Sequence, residues 1–345
     1  MHSPKVDMHT FAYNTARLPP EFYGASRDDV KLLAIDRQRG MVSASPFTGL
    51  HDFLRRGDIL VFNDSLMIPS SVGAYFTEAG VAGKLNLGTS TERGLLLCEP
   101  RPRNIAGILQ EGETVLTMPT KSSIRLVKRH SLFPRYWWAE PADYSGFMDV
   151  INRFGNYIRY GHIPFDLPSD TYSTAFSTIP GSVEFPSASR PFSGRIIDSL
   201  KRKGVRFAAV TLHCNLSSLE FSEFEKMDRL LDEEYTVGKS ALDAVYAARD
   251  NGGRILAVGT TVARALESCA ISGGMPVHGR TDLYIKPGFR FRIIDGLITG
   301  LHEPDGSHVD MVSALIDEST LLSSYSLATE LGYAWHEFGD LSLIV

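Results

Sequence analysis

Two histidines and one glycine-threonine turn are the features of this chain whose residue types and positions suit proton transfer or anion binding. His213 ends the apolar run "VRFAAVTLH", and His302 lies in "GLHEP". An imidazole can exchange a proton near neutral pH. Gly259-Thr260-Thr261 separates the apolar run "ILAV" from residues with helical apolar spacing, and free N–H groups at a helix start attract an anion. We therefore expect an anionic ligand at this turn.

The turn at 259–261 does not match the common nucleotide-binding loops. It lacks the Gly-Lys-Ser/Thr ending of a phosphate-binding loop and the second and third glycines of a dinucleotide fingerprint. A carboxylate or sugar hydroxyls suit it better than a pyrophosphate. The alternative is an ordinary strand-to-helix connection in which Thr260 or Thr261 caps the helix.

Helical and strand patterns alternate in the second half of the chain. The helical pattern "SGRIIDSLKRKG" precedes the strand pattern "VRFAAVTLH", and "SALDAVYAARDNGG" precedes "RILAVGT". This alternation predicts βαβ units around a mainly parallel sheet. Because ligands bind at the carboxyl ends of such strands, we expect His213 and Gly259–Thr261 to face one crevice.

The first half of the chain has sequence patterns typical of short strands. A hairpin is predicted around Arg37 to Gly40, and "DILVFNDS" reads as a buried strand that ends in Asn63 and Asp64. From about residue 70 to about 160, short apolar pieces separated by Gly, Pro and Ser predict a small barrel or sandwich.

Two later segments are rich in turn residues. In 281–308, Phe289, Phe291 and Ile293 alternate with other residues as in a strand, and Asp295-Gly296 predicts a hairpin turn. The loop "STIPGSVEFPSASRPFSG", residues 177–194, is interpreted either as a lid or substrate loop or as a structural connection.

Composition narrows the class of protein. The 345 residues are 43% hydrophobic and 22% charged, with a formal charge of -5 and no basic block. Non-specific nucleic-acid binding is therefore not indicated. A local basic patch that binds one RNA stays open. Three widely spaced cysteines predict neither disulfides nor a metal site. With no signal peptide and no membrane-length apolar run, we expect a cytoplasmic protein without a membrane partner, either a monomer or a homodimer.

Taken in order, these segments resemble one family, the S-adenosylmethionine:tRNA ribosyltransferase-isomerases of queuosine biosynthesis. The resemblance is carried by "LRRGDILVFNDS", "YSTAFSTIPGSVEFPSAS", "VRFAAVTLHCNL", "EEYTV", "GTTVARALES", "DLYIKPGFRFRIIDGLITGLHEP" and "FGDLSLIV". It implies an α/β body, residues 1–69 and 165–345, with a β-barrel inserted at 70–164.

The resemblance also implies a reaction. S-adenosylmethionine is the ribosyl donor and co-substrate, no metal takes part, and adenine and methionine leave as the sugar is isomerised onto a 7-deazaguanine of tRNA. The implied catalytic residues are His213, His302 and Glu233. The implied binding residues are Gly259, Thr260, Thr261, Arg264, Pro186, Ser187, Asp64 and Asp282.

Several pocket motifs depart from those of the family. Arginines are replaced at Leu66 and Ser71, a leucine and a histidine at Arg190 and Pro191, and two glycines at Asn215 and Ser217, while acids appear at Glu303, Asp305 and Asp310. Removing arginines and adding carboxylates serves a polyanionic tRNA poorly. Three functions therefore stay open. The one we favour is a ribosyltransferase-isomerase-like enzyme with a nucleoside donor and a small-molecule acceptor. The other two are the authentic tRNA enzyme and a non-catalytic nucleoside-binding protein.

Overall fold

Most strands of this protein belong to a nine-stranded sheet or to a closed barrel. The computed structural model describes residues 13–16, 18–216, 229–302 and 306–345. Within these ranges the strands are β1 (Asn14–Thr15), β2 (Lys31–Asp36), β3 (Met41–Pro46), β4 (Ile59–Asn63), β5 (Ser65–Met67), β6 (Ser71–Phe76), β7 (Val81–Glu92), β8 (Leu95–Arg101), β9 (Thr114–Thr117), β10 (Ser123–Arg129), β11 (Trp137–Pro141), β12 (Ile179–Ser182), β13 (Arg206–Leu212), β14 (Glu233–Val237), β15 (Ile255–Val258), β16 (Val277–Thr281), β17 (Gly296–Gly300), β18 (Ala334–Trp335) and β19 (Leu341–Ile344). The α-helices of these ranges are Leu50–Phe53, Tyr144–Phe154, Gly194–Lys203, Lys239–Asp250, Thr260–Ile271, Ser307–Leu315 and Glu318–Glu330. Short 3₁₀ helices cover Pro20–Tyr23, Phe47–Gly49, Arg103–Gly107, Ser169–Tyr172 and Ser187–Ser189.

The body is built on the sheet of order β16-β14-β13-β4-β15-β17-β19-β2-β3. Parallel pairings join β13, β4, β15 and β17, and antiparallel pairings add β14, β16 and β3 at the edges. Every residue of β4 is buried, because helices cover both faces of the sheet. The face of Val61 packs against helices Lys239–Asp250 and Thr260–Ile271, and the face of Phe62 against helix Gly194–Lys203.

The predicted α/β fold is confirmed, including the hairpin and the alternation of helices and strands. Strands β2 and β3 pair in antiparallel register on either side of Arg37–Gly40. Helix Gly194–Lys203 leads into β13, and β15 runs into helix Thr260–Ile271. These elements were predictable because their apolar residues follow the strand or helix period over a full element.

The predicted inserted barrel is a closed ring of order β10-β11-β8-β7-β6-β9. Its strands span Ser71–Pro141 and enclose a core that includes Phe76 and Trp137. Helix Tyr144–Phe154 packs onto this core through Phe147 and Ile151. A barrel, and not a sandwich, therefore accounts for the short apolar pieces of this region.

Asn215 fastens the body to the barrel. Its side chain is fully buried, accepts a hydrogen bond from the Thr89 N–H at 3.0 Å, and donates to Ser90 Oγ at 2.7 Å. A second donated bond reaches the Asp232 carbonyl at 3.1 Å. Asn215 thus adds a structural link between the body and the barrel. Ser217 lies outside the described residues.

The segment before β17 corrects one expectation. Residues 289–294 form no strand, and β17 follows without a hairpin, pairing instead with β15 and β19. The fully buried carboxylate of Glu267 accepts the N–H groups of Arg292, Ile293 and Ile294 at 2.8, 3.0 and 3.1 Å. Because a side chain satisfies these donors, the backbone needs no strand partner here.

Across the described ranges, none of the helices combines the length and the apolar character required to cross a bilayer.

Candidate active site

A cavity of about 540 Å³ opens at the carboxyl ends of β15 and β17. This is the edge at which ligands bind in open α/β sheets. The predicted site residues that line the cavity are Pro186, Ser187, Glu233, Gly259, Thr260, Thr261, Arg264 and His302. Residues that are up to 116 positions apart in the second body segment, from Pro186 to His302, therefore meet in one pocket.

The start of helix Thr260–Ile271 forms part of the cavity wall. Its cap residue is Gly259, at φ +99° and ψ 148°, so no side chain caps the helix. Thr261 Oγ accepts a hydrogen bond from Asn63 Nδ2 at 3.2 Å. The capping by Thr260 or Thr261 that the sequence left open is not observed, and the positive end of the helix dipole faces the cavity.

Arg264 and Glu233 form a buried ion pair in the same wall. One terminal guanidinium nitrogen donates to Glu233 Oε2, and Nε donates to the Leu283 carbonyl at 2.8 Å. Glu233 Oε1 accepts the Asn215 N–H at 2.8 Å. Both side chains thus already have protein partners, and their predicted roles, as ligand seat and catalytic residue, stay predictions.

A histidine cluster forms another part of the wall. The rings of His302 and His308 stack with centroids 3.9 Å apart, and His336 lies 6.0 Å from His302. Burial and neighbouring histidines hold the pKa of His302 well below 6.5, and they lower the pKa of His308 to about 4. Both imidazoles are therefore neutral at pH 7 and can accept a proton or a hydrogen bond.

His213 lies outside the cavity, so the structure does not bring it to the crevice of the Gly259 turn. Its Nδ1 is 2.7 Å from Ser65 Oγ, and β12 crosses its ring so closely that a Cβ on Gly181 would lie 2.5 Å from it. Burial lowers the pKa of His213. Strand β12 thus covers this imidazole.

The two predicted aspartates also lie away from the cavity wall. Asp64 accepts a hydrogen bond from Thr211 Oγ at 2.7 Å, and burial raises the pKa of its carboxyl. Asp282 follows the edge strand β16, and its half-exposed carboxylate lies 3.4 Å from Arg229. An edge position leaves this side chain facing solvent.

The residues interpreted as replacements in pocket motifs lie outside the cavity wall wherever the structure describes them, and several have partners within the protein. The buried Arg190 donates to Glu21 at 2.8 Å, and Asp310 accepts a hydrogen bond from the Tyr284 hydroxyl. Leu66 and Ser71 belong to strands β5 and β6. Glu303 and Asp305 lie outside the described residues.

The cavity residues that were not anticipated include Tyr160, Glu184, His308, His336 and Glu337. The buried Glu184 accepts a hydrogen bond from the Tyr160 hydroxyl at 2.9 Å, and burial together with nearby carboxylates raises the pKa of that hydroxyl well above 10. Glu184 stands in "SVEFPS", two residues before a predicted site residue. The other four carry no spacing signal that links them.

The sequence pattern that defines one known family matches residues 10–344, and that family is described as queuosine biosynthesis protein. The chain belongs to this family. The predicted resemblance is thereby confirmed, and the match includes both the body and the barrel.

Named relatives are similar in sequence to this protein over nearly the whole chain. An S-adenosylmethionine:tRNA ribosyltransferase-isomerase of Chlorobium phaeobacteroides is 30% identical over 96% of both chains, and one of Carboxydothermus hydrogenoformans is 32% identical over 92% of this chain and 94% of its own. The crystal structure of S-adenosylmethionine tRNA ribosyltransferase from Thermotoga maritima matches with a TM-score of 0.53 and 26% identity over 96% of both chains. The family member described here is accordingly an enzyme of the transferase and isomerase class.

Proposed function

We propose that this enzyme binds S-adenosylmethionine, or a closely related nucleoside, in the 540 Å³ cavity and transfers and isomerises its ribosyl group. The observation that carries the proposal is the uncapped start of helix Thr260–Ile271, which faces the cavity together with a wall of neutral histidines. The names of the relatives support the choice of donor.

The residues present match the demands of such a reaction. The methionine carboxylate of the donor needs a seat, which the N–H groups at the start of helix Thr260–Ile271 offer. A sulfonium acidifies the neighbouring C5′ protons, and a base must take one of them. His302 is neutral and buried in the wall, and we assign it this role.

For the acceptor, we propose a small molecule. In the barrel, two basic side chains are paired with acids: Arg101 with Glu99 at 2.8 Å and Lys128 with Glu92 at 2.8 Å. The cavity is lined by three carboxylates, Glu184, Glu233 and Glu337, and by two guanidinium groups, Arg103 and Arg264. Because Arg264 is paired with Glu233, two carboxylates and one guanidinium remain, and this excess of negative charge suits a cationic amine better than a polyphosphate chain.

A tRNA acceptor is the second candidate, and the names of the relatives favour it. A non-catalytic role has no comparable support, because the named relatives are enzymes. The cytoplasmic location and the monomeric or dimeric state stay predictions.

The test is incubation of the purified chain with S-adenosylmethionine and two acceptors, free 7-aminomethyl-7-deazaguanine and tRNA that carries this base. Adenine and methionine are measured by chromatography. Release with the free base alone supports a small-molecule acceptor, and release with tRNA alone supports the second candidate. His302→Gln is expected to lower release at least tenfold, whereas His278→Gln, an exposed control outside the cavity, is expected to leave it unchanged.

A further inference from the structure

Two distant parts of the chain place three metal-ligating side chains together. The ligand atoms of His162, His336 and Glu337 all lie within 4.8 Å of one another. His162 stands between the barrel and β12, whereas the other two residues lie just before β19. His336 and Glu337 also line the cavity, so the cluster forms part of its wall.

Two atoms of this cluster are buried without a hydrogen bond. Glu337 Oε2 and His162 Nε2 are both shielded from solvent, and neither takes part in a hydrogen bond with the described residues. The side chain of Glu337 is 7% exposed, and the two atoms are 3.3 Å apart. Because an unsatisfied buried carboxylate oxygen is costly, a cation between these atoms would remove a real penalty.

The geometry points to a site for a divalent transition-metal ion held by His162, His336 and Glu337. Two imidazoles and one carboxylate are ligands that Zn²⁺ and Co²⁺ accept, whereas Mg²⁺ and Ca²⁺ prefer oxygen alone. With metal–ligand bonds of about 2.0–2.1 Å, tetrahedral ligand atoms are separated by roughly 3.3 Å. The pair formed by His162 and Glu337 already has this separation, 3.3 Å.

Neighbouring rings hold the two imidazoles in place. His162 stacks on His336 with centroids 4.6 Å apart, and the Tyr160 ring lies 5.8 Å from His162 and 6.5 Å from His336. His336 has φ +72°, a left-handed conformation that is uncommon outside glycine and that often marks functional positions. Three protein ligands leave one coordination position, as in catalytic zinc sites. No short spacing in the sequence links His162 to His336 and Glu337, so the sequence predicts no metal here.

The test is a Co²⁺ titration of the tag-free, chelator-treated full-length protein, followed by visible absorption, with Zn²⁺ binding measured by calorimetry. One equivalent of Co²⁺ is expected to bind and to be displaced by Zn²⁺. Glu337→Gln and His162→Gln are each expected to weaken binding at least tenfold. His278→Gln, which alters an exposed histidine beside Glu234, serves as the matched control and is expected to bind as the wild type does.

Cys214 also lines the cavity, so Cys214→Ser is included to show that no thiolate is a ligand. Circular dichroism verifies that each variant is folded. Failure of the wild type to bind either metal would identify the cluster as an ion pair only and overturn the proposal, as would wild-type affinity in both ligand variants. These measurements use no nucleoside, so their outcome is independent of the proposed ribosyl transfer.

Discussion

Glu267 stabilises the segment before β17 through hydrogen bonds from that segment's backbone N–H groups. Its carboxylate is fully buried and accepts three backbone N–H groups. Glu267→Gln leaves one acceptor oxygen and turns an amide donor toward N–H groups, so we expect the free energy of unfolding to fall by about 2–4 kcal/mol. Urea denaturation measures this change. The exposed Glu330→Gln is the control, expected within about 0.5 kcal/mol of the wild type, and an equally small effect at Glu267 would contradict the argument.

His302 and His308 make stability depend on pH. Their folded pKa values lie below the unfolded value of 6.5, that of His308 at about 4. Between these pH values the unfolded chain binds protons that the folded chain does not, so the free energy of unfolding falls as pH decreases from 6.5 toward 4. Each histidine contributes a slope of at most about 1.4 kcal/mol per pH unit.

The check is urea denaturation from pH 4 to pH 7 in the presence of a chelator, which removes any metal effect. His308→Gln is expected to flatten the dependence on pH. His278→Gln, whose side chain is 68% exposed, is expected to retain the wild-type slope. Identical slopes in all three proteins would show that His308 is not held neutral by the fold.

At the scale of elements, Gly259 joins β15 to helix Thr260–Ile271 in a conformation that side chains rarely adopt. At φ +99° a Cβ is strained, and it would also lie 3.4 Å from Ala188 Cβ. We expect Gly259→Ala to lower the free energy of unfolding by about 1–3 kcal/mol and to weaken S-adenosylmethionine binding, because the helix start would be displaced. Gly107→Ala is the control, since a Cβ there meets nothing within 4 Å.

Calorimetry measures the nucleoside affinity of both glycine variants. Gly107 lies in a barrel helix and outside the cavity lining, so its variant is expected to bind as the wild type does. Unchanged affinity in a folded Gly259→Ala protein would remove the helix start from the proposed site.

The sequence predicted elements well where one period continues through a whole element. β4 is apolar from Ile59 to Phe62 because helices cover both of its faces, and helix Thr260–Ile271 shows the helical period. Residues 289–294 also alternate, but Glu267, distant in sequence, takes the hydrogen bonds that a strand partner would accept. A local pattern reports burial and does not identify the hydrogen-bond partner.

The candidate site was predictable only in part, for the same physical reason. Gly259–Thr261 and His302 stand in strand-end motifs, which the order of elements places at one sheet edge. His213 stands in a similar motif, but the crossing of β12 covers it. His336 and Glu337 join the wall through tertiary packing, which local spacing does not encode.

At the scale of the whole molecule, the distribution of charge bears on tRNA. When a protein binds tRNA by neutralising phosphates, its affinity falls with nearly one power of the salt concentration for each phosphate contact. With Arg101 and Lys128 paired to acids, we expect tRNA to bind more weakly than about 10 µM at physiological salt. A gel-shift with unmodified and 7-aminomethyl-7-deazaguanine-bearing tRNA measures this. Tight, salt-sensitive binding with adenine release would restore the tRNA acceptor.

The junction between body and barrel has a consequence for the order of folding. Ser71 and Asn156 exchange backbone hydrogen bonds at 2.9 and 2.7 Å, so the two ends of the barrel segment lie side by side. Closing a loop costs more entropy as the loop lengthens, and a barrel that has already formed shortens the effective loop to a tight turn. Body strands on either side of the insertion then pair as near neighbours along the chain. A mutation that slows barrel closure is therefore expected to delay the appearance of the 540 Å³ cavity, although that cavity lies mainly in the body.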